Sequence, residues 1–286
     1  MRHLHIAALQ TASVSHDVDA SWARFASQAH QVRQLFPQVQ LLMLPELVLS
    51  GSAPLLQAEA GWMEHVAEPL DGPQVQRLCG LARELGLWLQ PGSLFERADD
   101  GQIYNTALLI SPAGEIAARY RKIFPWQPYE TSTPGDQFVV CDLPGIGRVG
   151  LAICYDNSFP EVARQLAWLG AEVILVPTLT GTRDREMECV CARANAFCNQ
   201  LYVVNLNAAS PLGVGESLIV DPEGLVRQKA GAGEEILVDC LDLEQVARVR
   251  QHGSAGVSRP WQQLQRYAGR LALPMYGGHL QAMPDA

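Results

Sequence analysis

The chain has 286 residues, 48% of them hydrophobic and 18% charged, with 24 glycines and a formal net charge of -9. That composition excludes disordered, collagenous and disulfide-scaffold proteins, and the acidic balance argues against nucleic acid or an anionic membrane as the principal partner. Seven scattered cysteines without a CxxC pair or a zinc-type spacing read as reduced thiols in a cytoplasmic protein.

The amino terminus, His3 to Gln10, alternates like a first strand and is apolar over too few residues for a signal sequence. No later window reaches the ~18 apolar residues of a membrane helix. Val18, Trp22, Phe25, Ala29, Val32 and Phe36 recur at steps of three and four, which predicts a helix ending before Pro37. Leu41 to Leu44 reads as a buried strand closed by Pro45, which delivers Glu46 to its carboxyl end. A second helix over about 74–85 turns Val75, Leu78, Ala82 and Leu85 inward and stops at Gly86.

A meander follows, with strands at Leu87 to Phe95, Ile103 to Ile110 and Ile116 to Tyr120 separated by the turn sequences 98–101 and 111–115. Residues 121–137, rich in proline and aromatic rings, read as an ordered functional loop. Gly147 to Ile153 is the next strand; it ends on Cys154, and Pro160-Glu161 opens a helix over 161–169. Val173 to Val176 is a strand. The 183–201 segment then places Met187, Val190, Ala194, Phe197 and Leu201 on one helical face, before a strand at Tyr202 to Asn207. Two strands flank the turn 221–224, and Glu235 to Cys240 is the last. The alternation predicts a layered α/β fold in a single domain over 1–286, with an inventory that suits two similar halves. Residues 251–286 form an extension expected to drape over a surface or a partner subunit.

Glu46, Lys122 and Cys154 each follow a strand-like segment, so in a layered sheet all three can converge on the carboxyl edge where α/β proteins bind ligands. Taken singly, each has a plain alternative: a solvated loop carboxylate, an exposed cation beside Arg121, and a packed small hydrophobe. Together they make chemical sense. A thiol near its ordinary pKa of ~8.5 is mostly protonated at neutral pH, so a nucleophilic cysteine needs a base or a cation nearby. A glutamate can take the proton and pass it to a leaving amine, while an ammonium stabilises the developing oxyanion.

These residues stand in motifs, namely Leu44-Pro45-Glu46 with Gly51, Tyr120-Arg121-Lys122, and Ile153-Cys154-Tyr155-Asp156 with Phe159-Pro160-Glu161. In order and spacing the chain resembles the nitrilase superfamily of carbon-nitrogen hydrolases over roughly residues 4–245. The resemblance extends to Asn105-Thr106-Ala107, Pro134-Gly135-Asp136, Arg193-Ala194 with Asn199, and Gly215-Glu216-Ser217. It implies a four-layer αββα sandwich with Glu46 as general base, Cys154 as nucleophile and Lys122 as oxyanion stabiliser. By the same resemblance the backbone N–H of Tyr155 is a second oxyanion donor, and Glu130 positions substrate and lysine.

The segment from Arg121 to Glu130 is similar to the lysine loop of the aliphatic amidase and formamidase branch, which tilts the expected substrate toward small carboxamides. Nitriles and N-carbamoyl compounds are alternatives within the same chemistry, and a redox-sensing thiol is one outside it. Asn157 and Ser158 stand where carbamoyl-amino-acid hydrolases usually carry arginine, although Arg183 or Arg185 could bind a substrate carboxylate if they are not simply a solvated helix start. Cys189, Cys191 and Cys198 are read as packing residues. No metal or organic cofactor is expected. The family habit of pairing the helical layers predicts a homodimer or a larger homo-oligomer.

Overall fold

The computed structural model describes residues 2–279. Its first half runs β1 (His3–Gln10), α1 (Val18–Leu35), β2 (Leu41–Met43), α2 (Trp62–Val66), α3 (Pro73–Leu85), β3 (Trp88–Gln90), β4 (Ser93–Arg97), β5 (Ile103–Ile110) and β6 (Ile116–Arg121). The second half runs β7 (Val139–Leu143), β8 (Gly147–Leu151), α4 (Pro160–Trp168), β9 (Val173–Thr178), α5 (Arg185–Asn199), β10 (Tyr202–Asn207), β11 (Leu218–Val220), β12 (Val226–Lys229) and β13 (Glu235–Asp242). Helices α6 (Leu243–His252) and α7 (Pro260–Gln265) follow.

One sheet has the order β13-β1-β2-β3-β5-β4 with β6 paired to β5, and the other the order β12-β11-β10-β9-β8-β7. In each, three parallel strands form the centre, β1-β2-β3 and β8-β9-β10, and antiparallel strands flank them. The halves repeat one plan, as their inventory suggested.

The layering follows from strands buried on both faces, whose successive side chains point to opposite sides. Ile6 and Ala8 join Leu41, Met43, Val149, Leu151, Val173 and Leu175 in a core between the sheets. Their neighbours Ala7 and Leu9 meet Phe25, Ala29 and Val32 of α1 and Val75 and Leu78 of α3 on one outer face. On the other, Ile174 and Val176 meet Val162 and Leu166 of α4 and Ala192 and Ala196 of α5. The result is a four-layer αββα sandwich.

Three expectations need correction, and one strand was not anticipated. The strand predicted over 87–95 is two strands broken at Gly92, whose φ is +76° and where a Cβ would stand 1.8 Å from the Pro45 carbonyl oxygen. The Pro91-Gly92 pair marks the break, but it lies between apolar residues on both sides and reads as part of one longer strand. Strand β7 lies in a stretch with no prediction: it is an edge strand with mostly half-buried side chains, and its sequence lacks a clean alternation. The apolar stripe predicted on α5 is not its core face, although Leu201 just beyond the helix is buried. Met187, Val190 and Phe197 are 58%, 52% and 37% exposed, whereas Arg185, Glu188, Ala192, Asn195, Ala196 and Asn199 are buried.

The C-terminal extension has more regular structure than its weak periodicity implied. Its nominal start falls inside α6, and α7 buries Trp261 against the Trp168 ring with Arg164 and Arg250 over its indole. Tyr267, Met275 and Tyr276 are exposed, although the Tyr276 hydroxyl donates to Glu161 Oε1 at 2.6 Å. Residues 280–286 of the extension lie outside the described residues.

Candidate active site

Glu46 stands three residues beyond β2, Lys122 directly after β6, and Cys154 three residues beyond β8. Because β6 is antiparallel to β5, and β5 to β3, its carboxyl end lies on the same side as that of β2. The two sheets therefore bring all three residues to the wall of one cavity of about 510 Å³, which Glu130, Tyr155, Thr180 and Glu188 also line.

The lysine is the centre of a buried charge cluster. Lys122 is 1% exposed, and its Nζ donates to Glu46 Oε1 at 2.9 Å and to Glu130 Oε2 at 2.5 Å. Asn105 joins the same two acids, with Nδ2 at 2.8 Å from Glu46 Oε1 and 2.8 Å from Glu130 Oε1. The Trp126 backbone N–H donates to Glu130 Oε2 at 2.9 Å, which ties the loop after Lys122 to its own acid.

Burial raises the pKa of Glu46 above the usual glutamate value; Lys122 opposes this and Glu130 adds to it. For Glu130 burial also acts upward, but Lys122, with hydrogen bonds from Asn105 and Trp126, outweighs it and the net shift is downward. Burial alone would depress the lysine, yet the two carboxylates hold its ammonium well above the ordinary lysine pKa. The cluster is thus a firmly protonated cation between one carboxylate held below the usual glutamate value and one raised above it.

Cys154 occupies a strained turn. Ile153 is extended, with φ -133° and ψ 121°, and Cys154 then adopts φ +46°, a left-handed conformation uncommon for a residue with a side chain. A 3₁₀ turn from Cys154 to Ser158 separates it from α4, which opens at Pro160. Asp156 fixes this turn: its carboxylate accepts from the Ile153 N–H at 2.9 Å, the Phe124 N–H at 3.0 Å and the Tyr120 hydroxyl at 2.7 Å. Burial pushes Asp156 up to about 6 against those stabilising bonds. The Phe124 and Phe159 rings stack at 3.6 Å, so the lysine loop and the cysteine turn are locked to each other.

Burial and the charges of Glu46 and Glu188 keep the Cys154 thiol protonated, well above the ordinary cysteine pKa, with Lys122 opposing. Its side-chain hydrogen-bond partner is Thr180, with Oγ1 3.9 Å from Sγ. Tyr155, 37% exposed, turns its ring edge onto Phe159 at 5.2 Å, while its backbone begins the turn beside the sulfur.

Sequence reasoning gave no role to Asp156, Thr180 or Glu188, and placed Asn105 only within a motif. Two signals were available. Asn105 interrupts a strand buried over its whole length, and Thr180 follows the end of β9 as Cys154 follows β8. Arg185 is neither a solvated helix start nor a substrate anchor, because it is 2% exposed and paired with Glu188 at 2.9 Å. Arg183 is exposed and does not line the cavity. Cys198 is exposed and not packed as expected. Among the described residues no group of three His, Cys, Asp or Glu side chains could hold a metal ion.

The description "carbon-nitrogen hydrolase" matches residues 5–251. A curated relative from Pseudomonas protegens, "Hydrolase in pqqF 5'region", is 37% identical over 228 residues, covering 77% of this chain and 78% of its own. A formamidase from Bacillus cereus is 30% identical over 73% of this chain, and the match spans only 63% of the formamidase. Among solved structures, a Saccharomyces cerevisiae member of branch 10 of the nitrilase superfamily superposes with a TM-score of 0.79 at 28% identity, over 87% of this chain and 94% of that one. An amidase from Nesterenkonia sp. gives 0.73 at 27% identity, over 87% and 94%. With its sandwich fold and its match to the family over most of its length, the chain belongs to the carbon-nitrogen hydrolases of the nitrilase superfamily.

Proposed function

We propose that the protein hydrolyses a small, uncharged carboxamide to its acid and ammonia, with Cys154 as nucleophile, Glu46 as general base and acid, and Lys122 as oxyanion stabiliser. The observation that carries this reading is the Lys122 ammonium fixed between Glu46 and Glu130 in the cavity that also holds the Cys154 thiol. A resting thiol is a poor nucleophile, so the proton must leave as the sulfur attacks. Glu46, whose carboxylate burial makes a stronger base, is matched to accept it.

The sulfur adds to the amide carbon, and the proton passes to Glu46. Charge collects on the former carbonyl oxygen, facing Lys122 and the Tyr155 N–H. The C–N bond then breaks as Glu46 returns the proton to nitrogen, and ammonia leaves a thioester on Cys154. Water adds to that carbon while Glu46 takes its proton, and cleavage of the C–S bond releases the acid as the sulfur recovers a proton. Glu130 holds the lysine in place. In this reading Lys122 stays charged throughout, since its surroundings hold its proton firmly.

The substrate class follows from the walls. Among the described residues Lys122 is the one Lys or Arg that lines the cavity, and it is engaged by two acids, whereas Glu59, Glu64 and Asp184 also face the space. A substrate carboxylate would meet repulsion with no free cation. Leu47, Phe95, Trp126, Leu179 and Leu212 supply apolar surface for an acyl chain. The relatives named formamidase and amidase, one of the latter solved with butyramide, support the same class.

An ammonia-release screen across short aliphatic amides, nitriles and N-carbamoyl amino acids tests the proposal. Amides are expected to turn over fastest; preference for N-carbamoyl acids would overturn the substrate assignment. A redox sensor would need a low thiol pKa, and here the surroundings of the thiol push it upward.

We further propose a single catalytic domain over 1–286 that works as a homodimer, joined through the apolar outer face of α5 at Met187, Val190 and Phe197. A monomeric sedimentation coefficient at micromolar concentration would contradict the dimer. Seven free cysteines support a reducing, cytoplasmic home.

A further inference from the structure

Beside the three residues of the motifs lies a second buried polar group that the reaction as written leaves unused. Glu188, on the inner face of α5, is 8% exposed. Its carboxylate accepts from Thr178 Oγ1 at 3.0 Å, Thr180 Oγ1 at 2.8 Å and Asn205 Nδ2 at 3.3 Å, and pairs with Arg185 at 2.9 Å. Arg185 is itself held by the Asn205 side-chain oxygen at 2.5 Å and the Glu216 carbonyl at 2.8 Å. A helix that needed only packing would turn apolar side chains inward, yet this one buries an ion pair there and brings its acid to the cavity wall.

Thr180 connects that pair to the sulfur. Its backbone is clamped on both sides by one residue, since its N–H donates to Asn207 Oδ1 at 2.8 Å and its carbonyl accepts from Asn207 Nδ2 at 3.0 Å. The side chain therefore sits at a fixed place, with Oγ1 3.9 Å from Cys154 Sγ. A carboxylate paired with a guanidinium is ionised and can only accept hydrogen bonds. A hydroxyl has one proton and two lone pairs, so the Thr180 proton is committed to Glu188, and only lone pairs remain for the thiol.

We propose that Thr180 is a positioning residue that accepts the Cys154 S–H in the resting enzyme, and that Glu188, neutralised by Arg185, sets it by holding the threonine proton. The arrangement aims the sulfur and blocks an alternative in which the hydroxyl donates to a thiolate. The thiol thus stays protonated until substrate is in place and Glu46 takes the proton. No bond to Thr180 is made or broken in turnover beyond this hydrogen bond. The inference rests on Cys154 being the nucleophile.

The charged groups around the sulfur are Glu46 after β2, Lys122 after β6 with Glu130 behind it, and Glu188 on α5. Glu188 acts through the Thr180 hydroxyl as well as by its charge, and the variants at 180 isolate the hydroxyl route.

The test follows two readouts in the full-length protein: amide turnover, and the pH dependence of Cys154 alkylation by iodoacetamide, read on the Cys154 peptide by mass spectrometry. Thr180→Val keeps the shape and removes the acceptor. It is expected to lower kcat about tenfold, the value of one neutral hydrogen bond, with KM within about twofold, and Thr180→Ser is expected to restore most of the loss. Glu188→Gln can donate its amide N–H to Thr180, which frees the hydroxyl to donate to sulfur, so the alkylation midpoint is expected to move to lower pH. Thr180→Val has no donor to offer and is expected to show no such downward move.

A Thr180→Val enzyme with wild-type kcat and wild-type melting would overturn the proposal, as would a Thr180→Ser enzyme as slow as Thr180→Val with its fold intact. Should Glu188→Gln fail to fold, the two threonine variants still decide. Retained turnover in Cys154→Ala would instead remove the catalytic reading beneath it, a result the alkylation profile cannot mimic.

Discussion

Replacing Lys122 by methionine removes the charge while keeping the length of the side chain, and the structure sets the size of the effect. The ammonium lies 2.9 Å from Glu46 and 2.5 Å from Glu130 and is 1% exposed, so solvent cannot take over its role. Breaking a buried ion pair by deleting one partner costs about 3–5 kcal/mol, a large share of the ~5–15 kcal/mol that holds a typical domain together. The sign of the pH dependence is fixed as well. In the wild type Glu130 is held below its usual value, which contributes stability above the unfolded pKa that is lost as pH falls. In Lys122→Met both acids are buried without a cation, their folded pKa values rise, and the variant gains protons on folding; its stability is greatest at low pH and is lost as pH rises. The penalty relative to wild type is therefore larger at pH 8 than at pH 5, as read by urea unfolding at both. Lys122→Met/Glu130→Gln removes one of the stranded charges and should recover about 1–3 kcal/mol without recovering ammonia release. An equal penalty at both pH values would refute the account of the cluster.

Three further outcomes follow from the geometry. The acid limb of kcat/KM should lie above the ordinary glutamate value of 4.5, because burial raises Glu46, and Lys122 should add no alkaline limb below 10.5; an acid limb at or below 4.5 would remove Glu46 as the base. Gly92→Ala would place a Cβ on the Pro45 carbonyl oxygen, at a left-handed φ, and so displace the strand end that carries Glu46. It should cost about 1–3 kcal/mol in a thermal melt and lower kcat more than a remote variant of equal stability. Trp261→Ala should destabilise the fold by about 3–5 kcal/mol and leave KM near wild type, since the ring is 3% exposed against Trp168; a loss under about 1 kcal/mol would mean that α7 does not fold with the sandwich.

The carboxyl ends of strands were the most legible part of the sequence. Apolar runs that stop at Pro45 and at Cys154 mark both the strand and the residue it presents, so Glu46 and Cys154 could be placed before any coordinates. Helix α3 was equally clear because its apolar positions face one core and nothing else. Helix α5 misled for a physical reason: its inner face carries Arg185, Glu188 and Asn195 beside the small Ala192 and Ala196, while its larger apolar residues Met187, Val190 and Phe197 are exposed. Periodicity finds a stripe but not the side on which the core lies. Gly92 and Asp156 escaped because their roles are tertiary: one is defined by a carbonyl from β2's extension, the other by donors from Tyr120 and Phe124, more than thirty positions away.

The central claim is that the acyl group passes through the Cys154 sulfur. Acid quench of the wild-type enzyme during turnover of a short aliphatic amide, followed by peptide mass spectrometry, measures this directly. The account predicts an acyl mass on the Cys154 peptide that hydroxylamine removes, and neither adduct nor ammonia release in a folded Cys154→Ala variant. Ammonia release at the wild-type rate from that variant, or an acyl group found only on another residue, would contradict it.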